Sequence, residues 1–218
     1  VSRNVKIMDG KMKGMIMAGM MALSLVLGAM AIFSNEWLTE DDEGATVDTG
    51  LSNQVMVMDT ETSDMCDAMA PMYEELLEGA TVECDGAEMT LTIGISDLCE
   101  SMKDGDSESD DLDDCEAAAL AGTMGQIGMW GGVVFALLAT LMLVLPMAGV
   151  DAMDAIPEMG QKVISWGAGG LMLLGMVLWY FMLPDGDSSM GTGLWIAGAA
   201  MSIALGSTLI GQFIPSDE

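Results

Sequence analysis

Histidine is absent from this chain, and only six residues of 218 are lysine or arginine, against 34 aspartates and glutamates. The missing imidazole removes the commonest general base and the commonest metal ligand. The missing cations exclude a nucleic-acid-binding role, because a formal net charge of -28 repels phosphate backbones and anionic lipid alike. Cysteine is scarce too: there are four, with no Cys-x-x-Cys pair and no histidine to complete a zinc set.

What is present divides into two kinds of segment. Hydrophobic residues make up 51 % of a very acidic chain, and separate lipid-facing and water-facing parts reconcile the two. Residues 35–116 hold all four cysteines and 26 of the 34 acidic residues, with Lys103 as their one cation. The runs 14–34, 117–149, 163–183 and 190–214 contain no charged residue, and each is long enough as a helix to cross a hydrocarbon core of about 30 Å. The first run is longer than the apolar stretch of a signal peptide.

The expected fold class is therefore a membrane all-α four-helix transmembrane bundle with a small disulfide-bonded α+β extracellular domain. Arg3, Lys6, Lys11, Lys13 and Lys162 would lie inside and Lys103 outside, which orients the chain in the lipid bilayer. In that scheme residues 1–13 are cytoplasmic, 14–34 form span 1 and 35–116 are extracellular. Span 2 is 117–149, 150–162 is a cytoplasmic loop, and span 3 is 163–183. Residues 184–189 make a short extracellular turn, 190–214 form span 4, and 215–218 are a cytoplasmic tail. As one helix 117–149 would measure roughly 50 Å, so its first turns, beside Cys115, are expected to stand out of the membrane, with Pro146 at the inner end. The valine at position 1 fits an alternative start codon read literally, or trimming.

Within 35–116 the pattern predicts short strands at 55–58, 80–84 and 88–95, the last two joined by an Asp85-Gly86 hairpin. A helix is predicted over 63–77, with Asp64 near its start and Gly79 just past its end; Pro71 argues for a break or a late start. So few aliphatic residues need covalent help. Cysteines in an oxidising compartment form disulfides, and four allow three connectivities. Pairing Cys66 with Cys84 and Cys99 with Cys115, which closes two local loops, is the expectation. Trp37 falls where an amphipathic ring favours the outer membrane interface. Gly198, Ser202 and Gly206, and likewise Gly14, Ala18 and Ala22, recur at spacing four, the small-residue rows that let helices approach closely, within a monomer or between copies.

Asp104, Asp106, Glu108 and Asp110 alternate along the most acidic run, a pattern of oxygen ligands that could wrap calcium. The EF-hand match fails at Ser109, where glycine is required, and at Cys115. A solvated charge run, with acidity serving solubility in a salty, halophilic or marine medium, is the plainer reading. Beyond that calcium no cofactor is expected. The 25 methionines, with Met17 and Met21 or Met56 and Met58 in ligand spacing, invite a copper(I) reading. They spread along every span instead, as stand-ins for leucine would. The spans hold no ionisable residue, so membrane-embedded enzyme or pump chemistry is not expected.

The motifs resemble those of a known superfamily. Gly169-Gly170-Leu171-Met172-Leu173-Leu174-Gly175 leading to Trp179-Tyr180 is similar to the third span of claudins. Met190-Gly191-Thr192-Gly193-Leu194-Trp195, running into Ala197-Gly198-Ala199-Ala200, is similar to the start of the fourth. Ala117 to Leu120 resembles the entry to the second span, and Trp37 matches the tryptophan after the first. The chain thus resembles a divergent, prokaryotic member of the claudin and peripheral myelin protein superfamily. It departs from the claudin pattern at Gly50-Leu51-Ser52, where a tryptophan is expected third, and in the wide spacing of Cys66 and Cys84; Cys99 and Cys115 have no counterpart. The resemblance implies a left-handed four-helix bundle topped by a small outer sheet, and a role in adhesion or barrier formation. The expected function is non-enzymatic membrane assembly or cell-surface interaction, through self-association or another membrane protein. The alternatives are an accessory subunit of a larger membrane enzyme or transport complex, and an acidic vestibule for cation passage.

Overall fold

The computed structural model describes residues 8–42, 44–104, 109–149, 157–184, 188–213 and 216–217. In chain order the elements are β1 (Met8–Asp9), α1 (Gly10–Ile32), β2 (Leu38–Asp42), β3 (Ala45–Thr49), β4 (Asn53–Asp59), α2 (Ser63–Leu76), β5 (Thr81–Asp85), β6 (Glu88–Gly94), α3 (Ile95–Asp104), α4 (Ser109–Val144), α5 (Glu158–Met182), β7 (Ser189–Met190), α6 (Thr192–Phe213) and β8 (Ser216–Asp217). A single 3-10 turn, Pro146–Ala148, follows α4. The chain forms two compact units: a helical unit from the described residues of Val1–Met30, Gly128–Leu174 and Ile196–Glu218, and a sheet unit from Ala31–Ile127 and Gly175–Trp195.

In the helical unit the residues turned inward are small. Ala18, Ala136, Ala139, Ala168, Ala200 and Ala204 are buried, with Met21 and Met172 filling between them. Leu23, Val26, Val134, Leu137, Leu141 and Leu209 are exposed. A water-soluble bundle would bury the large apolar side chains; this one buries the small ones, as helices do when lipid surrounds them and close backbone approach supplies the packing. The helices containing these segments, α1, α4, α5 and α6, are long and apolar enough to cross a membrane.

Buried hydroxyls join the helices where the small residues let them meet. Ser24 Oγ donates to the Ala200 carbonyl at 2.7 Å, Ser207 Oγ to Met17 O at 3.2 Å, and Thr208 Oγ1 to Ser165 O at 2.9 Å. The Gly198, Ser202 and Gly206 row is not the main seam of α6. Gly206 faces Met20, but Ser202 is exposed and its hydroxyl turns back to Gly198 O at 2.7 Å. Ala197, Ala200, Ala204 and Ser207 make the buried face, and Ala200 and Ser207 carry the bonds to α1.

Helices α4 and α5 approach closely at Gly132. A Cβ there would overlap Met172 Cγ and lie 2.8 Å from the Ala168 carbonyl oxygen. Since the second obstacle is backbone, a side chain cannot swing aside to make room. Gly132→Val is expected to push α4 from α5 at a cost of about 3 kcal/mol, read as a lower midpoint of denaturant-induced unfolding in detergent. An unchanged midpoint would mean that the helices do not touch there.

The sheet unit is built on the six-stranded antiparallel order β5-β6-β4-β3-β2-β7. Its two faces follow the two-residue period of a strand. Register places Cys84 beside Met89, Val82 beside Leu91, and Met56 between Leu91 and Val47 on one face; Met89, Leu91 and Ile93 are buried there. The opposite face carries Thr39 paired with Asp48 and Asp41 with Thr46, each threonine hydroxyl donating to the aspartate, at 2.8 Å and 3.0 Å. Gly86, at φ 63°, opens the β5–β6 turn, a left-handed conformation that suits glycine at the first position of a tight hairpin.

Several local expectations need correction. α2 runs through Pro71 without a break from Ser63 to Leu76. Thr62 caps its start, accepting from the Met65 amide at 3.3 Å, and the carbonyl that loses its partner to Pro71 belongs to the exposed Asp67, where water can satisfy it. Strands β2 and β3 and helix α3 were not expected. The acidic run is not one loop, since α4 begins at Ser109 and places Asp111, Asp113 and Asp114 on a helix. Of the residues expected to bind calcium, Asp106 and Glu108 lie outside the described residues, as do the side chains of Asp104 and Asp110.

Candidate functional site

Trp37 organises the sheet unit from within. Its side chain is fully buried, its Nε1–H donates to Ala31 O at 2.7 Å, and its ring meets Trp179 edge to face at 5.0 Å between centroids. Its amide donates to Thr49 O and its carbonyl accepts from Gly191, so it ties β2 to the start of α6. A membrane-interface or partner-contact role for Trp37 is therefore corrected: the ring's polar edge is satisfied by protein and its apolar edge by another tryptophan, leaving nothing for lipid or partner to touch. Nearby, Thr192 Oγ1 donates to the Glu36 carboxylate.

Two disulfides hold the peripheral helices. Cys66–Cys84 joins α2 to the edge strand β5, and Cys99–Cys115 joins α3 to the beginning of α4. One turn beyond Cys99, Lys103 Nζ sits 2.6 Å from Glu116 Oε1, both side chains about half exposed at 51 % and 53 %. The hydrogen bond to Glu116, and then its charge, raise the Lys103 pKa above its usual value. A cation with a raised folded pKa adds its stability fully below the unfolded value and loses it as pH rises through the folded one. Lys103→Met is accordingly expected to lower the unfolding midpoint by the same small amount at every pH from 6 to 9, within the small effect typical of exposed pairs. A large drop at neutral pH, by thermal unfolding, would contradict this.

Carboxylates then stand around concave surface. A cleft of about 560 Å³ is lined by Glu40 of β2 and by Asp111 and Asp114 of α4, over apolar side chains that include Leu98, Met102 and Trp179. No lysine or arginine lines it. Asp111 and Asp114 also serve a local purpose, since negative charge near a helix start offsets the macrodipole. A second pocket of about 360 Å³ is lined by Glu75 and Glu78 at the end of α2 and by Asp97 and Glu100 of α3. Among the described residues no group of three or more Asp, Glu or Cys side chains could hold a metal ion.

No protein-family model matches this chain, and no curated protein matches it. The site is therefore characterised by its own chemistry. It offers negative charge beside apolar surface, on a unit stapled by disulfides of the kind that persist in an oxidising, extracytoplasmic compartment. The sequence pattern singled out the cysteines and the density of charge. It missed Glu40, Asp111 and Asp114 as neighbours, because they are brought together by strand pairing and by the Cys99–Cys115 bond over long stretches of chain.

Proposed function

We propose that this chain is a non-enzymatic, claudin-like four-span membrane protein whose acidic segment, residues 35–116, faces outward and works in membrane assembly by contacting another membrane protein. The observation that carries this reading is the charge imbalance. Those residues contain 26 carboxylates and one lysine, and that lysine is already paired with Glu116. Two copies meeting through such surfaces would repel, whereas a partner with basic surface would be attracted and oriented. The helices with their large apolar side chains outward would hold the protein in the bilayer, and the disulfides would keep the sheet unit in shape outside it. The excess of lysine and arginine at 3–13 and at 162 supports an inward-facing N-terminus.

The reading is tested by the mass of complexes released from native membrane in mild detergent, with and without a calcium chelator. A fixed ratio with a second protein, weakened by salt, is the expected result. A ladder of self-multiples that collapses on chelation would replace it with cation-bridged self-association, and would bring Asp104, Asp106, Glu108 and Asp110 back as calcium ligands.

A further inference from the structure

Helix α2 has two apolar faces, and the sheet occupies one of them. Cys66 is buried on that side and bonded to Cys84, with Ala70, Tyr73 and Leu77 partly covered beside it. The second face is Met65, Met69, Met72 and Leu76, spaced four, three and four apart. At 3.6 residues per turn these four lie within roughly 60° of one another on the helix, the narrow seam by which one helix packs along another. Three of them are open to solvent, Met65 at 45 % exposed, Met72 at 69 % and Leu76 at 74 %, and Met69 between them is partly covered. None belongs to a candidate membrane span, so lipid does not explain the exposure as it does for the four long helices.

The charge around this seam says what would cover it. Leu76 itself borders the pocket lined by Glu75, Glu78, Asp97 and Glu100. The seam therefore runs, at the negative end of its own helix dipole, into a concavity lined by four carboxylates and no cation. A second copy of this segment would bring carboxylates against carboxylates, and an anionic membrane surface would do the same. Methionine adds adaptability, since its unbranched thioether repacks against varied apolar shapes.

From the seam and the pocket together we infer that α2 is a docking site for an amphipathic helix of another protein, bearing apolar residues at the same spacing followed by lysine or arginine that enters the acidic pocket. This rests on the partner-contact reading above and names the surface and the chemistry of the partner. The apolar seam provides affinity and register; the pocket selects a cationic end and rejects acidic helices.

The test uses the full chain in lipid nanodiscs and a labelled 18-residue helical peptide with leucines at four-three-four spacing and three lysines at one end, read by fluorescence anisotropy. A control peptide of identical composition has its leucines scrambled. Met72→Ser with Leu76→Ser is expected to weaken binding of the first peptide about tenfold, with the disulfides and the thermal midpoint retained because both positions are exposed. Glu75→Gln with Glu100→Gln should flatten the salt dependence of binding while leaving the preference for the ordered peptide. Equal binding of the scrambled peptide, or no effect of the serine pair, would overturn the inference and leave non-specific charge attraction in its place. A photo-crosslinker at position 72 adds an independent check in native membrane, where adducts to lipid or to a second copy of the chain would also overturn it. If the peptide fails yet the detergent-released protein still travels in a fixed ratio with a partner, the assembly reading survives and only this surface is wrong.

Discussion

Trp37→Ala is expected to destabilise the sheet unit by about 3–5 kcal/mol, the range for emptying a fully buried large aromatic site. Three separate losses converge at that position. The indole leaves a void beside Trp179, whose ring centroid lies 5.0 Å away. The Ala31 carbonyl loses its 2.7 Å bond from the indole nitrogen, although the Ser34 amide still donates to it at 3.3 Å. Gly193, whose missing Cβ would stand 2.9 Å from the Trp37 ring, is left facing empty space. Trp37→Phe separates these contributions. It keeps most of the ring and deletes the N–H, so about 1 kcal/mol is expected, the net worth of one hydrogen bond. Thermal unfolding in nanodiscs, followed by near-UV circular dichroism, measures both variants. An alanine variant as stable as the parent would return Trp37 to the membrane interface that its position after α1 invites.

The second large effect is expected from Cys66→Ala combined with Cys84→Ala. The bond closes a loop with a sequence separation of 18, for which the chain-entropy account gives about 3 kcal/mol. Cys66 is fully buried, so alanine also leaves a gap under α2. That helix carries Pro71 in its interior, which costs about 3 kcal/mol in an isolated helix, and it packs mainly on β5, an edge strand. Hydrogen exchange should show α2 and β5 opening together while β3, β4 and β6 stay protected. Removing Cys99 and Cys115 opens a loop of comparable separation, 16, but frees a different pair, α3 from α4, and should leave α2 protected. Equal loss of protection everywhere in either variant would mean that the sheet unit has no separable parts.

Legibility varied with the kind of information each element needs. Four apolar runs without charges were readable because hydropathy is carried by each side chain wherever it lies; strands 80–84 and 88–95 were readable because β5 and β6 alternate on their own, and 55–58 because Val55 to Met58 is a short unbroken apolar run. Leu38-Thr39-Glu40-Asp41-Asp42 reads as a loop. It is strand β2 because β3 offers it a full register of hydrogen bonds and because Thr39 and Asp41 bond to Asp48 and Thr46 across the ladder. The same holds for α4, whose acidic first two turns look like solvated chain until Cys115 is fixed to Cys99 and Glu116 to Lys103.

By itself the sequence determined the division into greasy and acidic parts, the number of long helices, and a covalent framework of four cysteines. These depend on composition and on periodicities of two and 3.6 residues. Only the tertiary structure decided that Trp37 is buried, that alanines and not the Gly198, Ser202 and Gly206 row make the main seam of α6, and that Met65, Met72 and Leu76 face water while Cys66 faces the sheet. An apolar residue looks the same in sequence whether it is covered by protein, by lipid or by nothing. The difference lies in which distant segment the fold brings against it.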